Sequence, residues 1–132
     1  MEAPQKPAVV WVVDREHWPR AFLVAELTER GFEARGYEEV GDAVVDLYRL
    51  FRDRPAAMVL DLREQPHDSP TLRALLGAGV PVVLVAGALE LAEPLVQDLP
   101  WSAVLRRPVS VGQICDAVEE LVRTRRRPVL ER

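Results

Sequence analysis

Cysteine is nearly absent from this sequence, which carries a single one, Cys115, among its 132 residues. A lone cysteine excludes a disulfide within the chain and a cysteine metal cluster, and it is typical of proteins from a reducing compartment. The polar segment 1–7 also lacks the apolar core of a secretory signal. We therefore expect a cytoplasmic protein.

Long hydrophobic runs are missing as well. The longest stretch without charge, 74–89, is too short to span a bilayer comfortably, and it contains Pro81 and three glycines. We interpret it as the end of a helix, a turn and a buried strand, and we expect no membrane partner.

Lysine is scarce, because only Lys6 among the seventeen basic residues is a lysine, and 21 acidic residues bring the net charge to -4. A general nucleic-acid binder is normally basic, so the composition argues against nucleic acid as a partner. The arginines within 123–127 either touch an anionic partner or form a solvated tail, and we favour the tail.

Familiar catalytic and cofactor motifs are absent too. Gly77, Gly79 and Gly87 match neither a Walker nor a dinucleotide-binding pattern. His17 and His67 are isolated, so neither has a spaced partner for a metal site. We expect a protein that is not an enzyme, although a fold alone never excludes one.

What the sequence does contain is short apolar runs that alternate with helical patterns. The predicted strands are 8–13, 33–37 (a weak edge candidate), 57–62, 80–86 and 103–105, and the predicted helices are 18–30, 40–51, 69–76, 89–99 and 110–122. Runs that are apolar on both faces are typical of a parallel sheet covered on both sides. The order predicts an α/β fold with a doubly wound, five-stranded parallel sheet of flavodoxin-like type.

Local signals mark several helix ends. Gly31 suits a helix C-terminal cap, Ser69 before Pro70 suits an N-cap, and Ser110 with Gln113 forms a capping box. We expect one domain over 8–122, a disordered segment over 1–7 and an arginine-rich tail or linker over 123–132.

Ligands and chemistry in such folds lie at the carboxyl ends of the strands. Asp14 follows the first predicted strand, Asp61 the third, Ala86 the fourth and Arg107 the fifth. These residues are therefore the candidates for a site at this edge of the sheet. A cap for the following turn is the structural role open to Asp61.

These residues give the chain a resemblance to the receiver domain of two-component response regulators, over about 8–122. The resemblance rests on the segments 12–14 (VVD), 59–62 (VLDL) and 107–109 (RPV). It implies that Asp61 is the position that accepts a phosphoryl group from a histidine kinase. It also implies a bound magnesium ion, an assisting lysine, and a Thr/Ser and an aromatic residue that relay the change.

The sequence departs from that family at four of the implied positions. Arg15 replaces the second acidic residue of the magnesium pair, Ala86 replaces Thr or Ser, Val104 replaces the aromatic residue, and Arg107 replaces lysine. Alanine has no hydroxyl to bond a phosphoryl oxygen, and an arginine differs from lysine in shape and hydrogen bonding. The loop after Asp61 is also unusual, so we expect it to take a different course.

The charged pocket residues leave several alternatives open. Asp14 and Asp61 are the carboxylates that would hold a magnesium ion, and we expect none. Arg15 either takes the place of the metal by pairing with Asp14 or Asp61, or points into solvent. Glu16 either reaches in as a substitute ligand or is a solvated acid at a helix start. Arg107 either forms an ion pair with Asp61 or extends into water.

One surface is a candidate interface. Trp101, with Leu95 and Leu99 nearby, either anchors a partner or covers the edge of the core, and we favour the cover. In receivers the face built from the fourth helix, fifth strand and fifth helix often binds partners, so a homodimer through it is one expectation.

Three functions follow from these observations. The leading one is an atypical receiver, or pseudo-receiver, that binds a signalling partner without conventional phosphorylation and without a cofactor. The second is a working receiver that accepts phosphate on Asp61 from a histidine kinase, with magnesium. The third is an enzyme or cofactor carrier on a flavodoxin-like fold.

Overall fold

A computed structural model describes residues 6–50, 53–66 and 68–126, and this part of the chain forms five strands and six helical segments. Each strand is followed by one helix, except the fourth, which is followed by two. The strands are β1 (Val9–Val13), β2 (Glu33–Tyr37), β3 (Ala57–Asp61), β4 (Val82–Ala86) and β5 (Ala103–Arg106). The helices are α1 (His17–Glu29), α2 (Val40–Arg49), α3 (Ser69–Gly77), α4 (Ala88–Leu91), α5 (Pro94–Gln97) and α6 (Val111–Arg126).

The strands form one parallel sheet in the order β2-β1-β3-β4-β5. This confirms the predicted doubly wound α/β fold, including β2 as an edge strand. From β1 the chain continues to β2 on one side of the sheet, and from β3 it continues to β4 on the other side. The strand order therefore reverses between β1 and β3. Ligands in open α/β sheets bind at the carboxyl ends of the strands at such a reversal.

Apolar side chains cover both faces of the sheet. On one face α1 and α6 pack over the strands, and the buried residues there include Val12, Leu23, Val59, Val85 and Ile114. On the other face α2, α3 and α5 cover a second cluster. Burial on both faces explains why the central strands are apolar throughout, because neither face is left to solvent.

Helix ends follow the sequence signals with one exception. Gly31 takes a φ of 94°, and the Phe32 N–H donates to the Leu27 carbonyl at 3.0 Å, which gives the expected C-terminal cap. The capping box is also confirmed, since the Ser110 N–H donates to Gln113 Oε1 at 2.8 Å.

The exception is the start of α3, where the predicted cap at Ser69 is wrong. Asp68 is the cap, and its carboxylate accepts a hydrogen bond from the Thr71 N–H at 2.9 Å. Both residues suit this position, but Asp68 lies three residues before the N–H that it satisfies, whereas Ser69 is already in the helix.

The predicted fourth helix is divided into α4 and α5, with Pro94 opening the second, so the predicted fifth helix is α6. Helix α6 continues to Arg126, into the segment assigned to the tail. The remainder of that segment, 127–132, and most of the segment expected to be disordered, 1–5, lie outside the described residues. No helix in the described part of the chain is long and apolar enough to cross a membrane.

Candidate functional site

The carboxyl ends of β1 and β3 bring two carboxylates to the same edge of the sheet. Asp14 follows β1 and is held there by its N–H, which donates to the Tyr37 carbonyl at 3.0 Å. Asp61 is the last residue of β3 and pairs in register with Val85. Both are buried, with Asp14 at 5% and Asp61 at 8% exposure, although each carries a charged group. Buried carboxylates require partners, and these come from the surrounding loops.

Arg107 is the closest cationic partner of Asp61. Its Nη1 donates to Asp61 Oδ1 at 2.5 Å, so the expected ion pair is present. The turn after β5 places it there, because the Arg107 N–H donates to the Ala86 carbonyl at 2.9 Å. Asp61 Oδ1 also accepts the Arg63 N–H at 3.0 Å.

Glu90 is a site residue that the sequence analysis missed. Arg107 Nη2 donates to Glu90 Oε1 at 2.8 Å, and the same oxygen accepts the Gly87 N–H at 2.8 Å. A glutamate three residues after the start of a helix is a known capping arrangement, and this spacing from Gly87 was the available signal. Glu90 therefore ties the start of α4 to the charged pocket.

Arg63 is the second missed residue, and it occupies the place that was expected for Arg15. Its Nη2 lies 3.6 Å from Asp14 Oδ1 and 3.6 Å from Asp61 Oδ2, between the two carboxylates. Its Nε lies 3.1 Å from Glu16 Oε1. Glu16 is thus an exposed acid at the start of α1 that faces this arginine.

Arg15 itself turns away from the pocket, so its expected pairing with Asp14 or Asp61 is wrong. Its Nη1 donates to Glu39 Oε1 at 2.5 Å, at the exposed start of α2. Glu39 comes from the neighbouring β2–α2 loop and offers an ion pair that costs no burial of charge. The other expectation, a solvent-facing Arg15, describes its position better.

The Asp14 carboxyl has a raised pKa, and its burial is the main cause. The nearby charge of Asp61, and to a smaller extent Glu16, raises this pKa further. The hydrogen bond from the Glu16 N–H at 2.9 Å and the positive charge of Arg63 act in the opposite direction. A second buried carboxylate beside Asp61 is therefore electrostatically costly, which explains why Arg63 lies between them.

The residues present do not fit a magnesium ion. Magnesium requires octahedral oxygen ligands, and here a guanidinium lies 3.6 Å from each of Asp14 and Asp61 while a second bonds Asp61 directly. Arg15 supplies no oxygen and is bonded elsewhere. Across 6–50, 53–66 and 68–126, no three His, Cys, Asp or Glu side chains group together as metal ligands would.

Ala86 and Val104, the two remaining replaced positions, lie on the predicted fourth and fifth strands. Ala86 ends β4, fully buried, and presents a methyl group beside the Arg107 turn. Val104 lies on β5 with 48% of its surface exposed. Neither side chain can form a hydrogen bond, so the polar contacts at the end of β5 are those of Arg107 with Asp61 and Glu90.

The buried side chain of Gln65 fixes the conformation of the loop after Asp61. Glu64 has a φ of 57°, and Gln65 is buried beneath the start of α2. The Val40 N–H donates to Gln65 Oε1 at 2.9 Å, and Gln65 Nε2 donates to the Glu38 carbonyl at 2.7 Å. These bonds anchor the turn that carries Arg63.

Trp101 packs against the core with Leu95 and Leu99, as the favoured interpretation expected. Its Nε1–H donates to the Val96 carbonyl at 2.8 Å, which satisfies the indole within the fold. Val104 lies beside it on β5 and is 48% exposed, and Leu89 on α4 is 88% exposed. Whether this face binds a partner stays a prediction.

Comparisons with known proteins find that the chain is similar to several solved structures. No protein-family model and no curated protein matches it. It is similar to a response regulator receiver protein from Sinorhizobium medicae WSM419, at 25% identity and a TM-score of 0.74, over 91% of this chain and 98% of that one. A response regulator receiver protein from Pseudomonas putida is 30% identical, with a TM-score of 0.69, over 89% of this chain and 99% of that one.

A response regulator receiver domain protein from Clostridium thermocellum has a TM-score of 0.72 over 89% of this chain and 96% of that one. At 16% identity this third likeness bears on the fold alone. The first two matches extend over almost the full length of the solved chains concerned.

Proposed function

The chain belongs to the response-regulator receiver family, and we propose that it is an atypical receiver that acts by binding a signalling protein rather than by accepting phosphate on Asp61. The observation that carries the proposal is the ion pair between Arg107 and Asp61, with Nη1 and Oδ1 2.5 Å apart. A carboxylate that attacks phosphorus needs a free oxygen lone pair in line with the leaving group, and here Arg107 bonds Asp61 Oδ1 while Arg63 Nη2 lies 3.6 Å from Oδ2.

The surroundings of this ion pair support the same conclusion. Glu90 holds Arg107 from its other side at 2.8 Å, so opening the pair also breaks a second charged hydrogen bond. A transferred phosphoryl group carries charge that a cation must neutralise, and both nearby guanidinium groups are already paired with carboxylates. Ala86 offers no hydroxyl to a phosphoryl oxygen.

The proposed role is that of a cytoplasmic interaction module, with no catalytic activity of its own and no cofactor. The proposed contact surface is the face of α4, α5, β5 and α6, where Leu89 and Val104 expose apolar surface. Its occupant is a signalling protein, a histidine kinase or a second copy of the chain. Capture of a partner that is lost with Leu89→Asp and kept with the unrelated surface change Val45→Asp supports this choice of face.

Incubation with acetyl phosphate and magnesium, followed by intact mass measurement, tests the proposal. We expect no adduct on the wild-type chain, and Asp61→Asn serves as the control for modification elsewhere. An acid-labile gain of one phosphoryl group that Asp61→Asn abolishes would contradict the proposal and favour the alternative, a phosphorylatable receiver. The alternative is supported by the retention of Asp14, Asp61 and a cation at Arg107.

A further inference from the structure

Helix α1 carries a second apolar stripe on its outer face, opposite the face that packs on the sheet. Leu23 and Leu27 are buried in the core on the inner face. On the outer face Trp18 is 66% and Phe22 58% exposed, and Ala25 is exposed as well. Because these three residues are spaced by four and by three, they lie along one line of the helix. The helix is therefore apolar on two faces, and the outer one is open to solvent.

Trp18 and Phe22 form one ordered aromatic surface on this stripe. Their rings stack with centroids 5.9 Å apart and an angle of 29° between the planes. His17 packs edge-on against Trp18, with centroids 4.9 Å apart. Because the stacking already restricts both side chains, a protein that covers them loses little conformational entropy in ordering them. Large aromatic side chains of this kind are typical anchors of protein–protein interfaces.

The charges at the two ends of α1 are reversed relative to the helix dipole. The first turn, 17–20, has the sequence HWPR and contains no acid, whereas the last turn, 26–29, has the sequence ELTE and contains no base. A helix dipole favours the opposite arrangement, with acids in the first turn and bases in the last. Glu26 is bonded to Arg30 at 2.9 Å, but Glu29 is exposed at the end of the helix. An antiparallel copy of the same helix would supply complementary charge at both ends.

An antiparallel pairing of two α1 helices centred on Phe22 is complementary in size as well as in charge. Each Phe22 then lies opposite its own copy, and positions at equal distances before and after it face one another. Trp18 lies beside the partner's Ala25, so a large side chain packs on a small one at two symmetric places. Glu29 lies opposite the partner's Arg15, at the start of the other helix. The exposed stripe of α1 is therefore complementary to itself.

We propose that the outer face of α1 binds a second copy of this chain, as an antiparallel pair of helices centred on Phe22. The inference goes beyond the adaptor role and concerns a different surface. Helix α1 packs over β1 and β2 at one edge of the sheet, whereas β5 lies at the other edge. A dimer would therefore present two copies of the face proposed for a signalling partner. One helix from each copy makes a small interface, so we expect a dissociation constant of about 1–100 µM.

Sedimentation velocity of the full chain over a range of concentrations tests the proposal. Phe22→Glu places two like charges opposite each other at the centre of the pair. Val45→Glu is the matched control, since Val45 is a similarly exposed apolar residue on another helix, at 54% against 58% for Phe22. Glu29→Gln removes the charge at the end of the stripe, and Leu89→Asp changes the face proposed for a signalling partner. Circular dichroism checks that each variant folds.

We expect wild type, Val45→Glu and Leu89→Asp to shift from monomer to dimer over the same range of concentrations. Phe22→Glu should weaken the dimer about tenfold or more, because it replaces an apolar contact by like charges. Glu29→Gln should weaken it about threefold or more, because each dimer loses two favourable contacts with the partner's helix start.

The proposal is overturned if the wild-type chain stays monomeric at about 1 mM or if Phe22→Glu associates as well as wild type. A tighter dimer in Glu29→Gln also contradicts it, because that is the result for a parallel pair, in which the two glutamates lie side by side. Loss of the dimer in Leu89→Asp would assign self-association to the other face. The phosphorylation assay on Asp61 is independent of these outcomes, so the two proposals can fail separately.

Discussion

Arg107 donates a hydrogen bond of 2.5 Å to Asp61, and the two side chains keep only 24% and 11% of their surfaces exposed. The pair is therefore shielded from the screening that weakens surface ion pairs. Because Asp61 is at the end of a central strand, the loss of its partner leaves a charge in a largely apolar setting.

Arg107→Ala should lower the free energy of unfolding by about 1–3 kcal/mol, because it leaves Asp61 and Glu90 without their shared cation. Urea denaturation measures the change. Arg106→Ala, at an exposed neighbouring position, is the matched control and should change stability by less than about 0.5 kcal/mol. In a double-mutant cycle with Asp61→Asn, strictly additive effects would contradict a direct interaction.

Restoring the implied family residues should restore phosphorylation. The triple variant Arg15→Asp, Ala86→Thr and Arg107→Lys returns a carboxylate, a hydroxyl and a compact ammonium group to the pocket. We expect a magnesium-dependent phosphoryl adduct on this variant under conditions that leave the wild-type chain unmodified. Intact mass measures it, and Asp61→Asn in the same background must abolish it. An unmodified triple variant would contradict the prediction.

Stability should depend on pH through Asp14, whose pKa is raised above its ordinary value of 3.8, mainly by burial. As the pH rises through 3.8 the unfolded chain loses this proton first, so the contribution of Asp14 to stability falls until the folded carboxyl ionises. Wild type should therefore lose stability relative to Asp14→Asn over the range that begins near pH 3.8 and ends where the folded carboxyl ionises. The asparagine still accepts the Glu16 N–H. Denaturation series over this range measure the gap, and a gap independent of pH contradicts the prediction.

Gln65 should contribute to stability through the bonds that hold the loop after β3. Gln65→Met keeps the size of the side chain but leaves the Val40 N–H and the Glu38 carbonyl without these partners. We expect a loss of about 1–3 kcal/mol in the free energy of unfolding. Gln97→Met changes an exposed glutamine in the same way and should cost less than about 0.5 kcal/mol. Equal effects of the two variants would show that the loop does not depend on Gln65.

The sequence was sufficient to predict the sheet because its central strands are apolar on both faces, a pattern that burial in a parallel sheet requires. The position of Asp61 followed from the same pattern, since a strand that ends in a carboxylate must deliver it to the sheet edge. The Arg107–Asp61 pair was one of two stated alternatives. The choice between an ion pair and a solvent-facing Arg107 depends on two neighbouring groups. The carbonyl of Ala86 holds the Arg107 backbone, and the carboxylate of Glu90 bonds its guanidinium.

The direction of an arginine side chain could not be predicted in the same way. Arg15 and Arg63 both follow a strand end within two residues of an aspartate, and both are flexible enough to reach the pocket. Glu39 draws Arg15 outward, whereas the left-handed Glu64 and the buried Gln65 fix the turn that sends Arg63 inward. These effects depend on contacts between loops distant in sequence, which a periodic pattern does not encode.

Arg107 also has a mechanical consequence. It bonds the end of β3 through Asp61 and the start of α4 through Glu90, while its own backbone is held by the last residue of β4. Three segments of chain are thereby joined in one closed linkage. A partner that displaces α4 must either move the carboxylate of Asp61 or break a charged hydrogen bond. Such a partner would change the affinity of any ligand that shifts Asp61. By reciprocity, that ligand would change the affinity of the partner by the same factor.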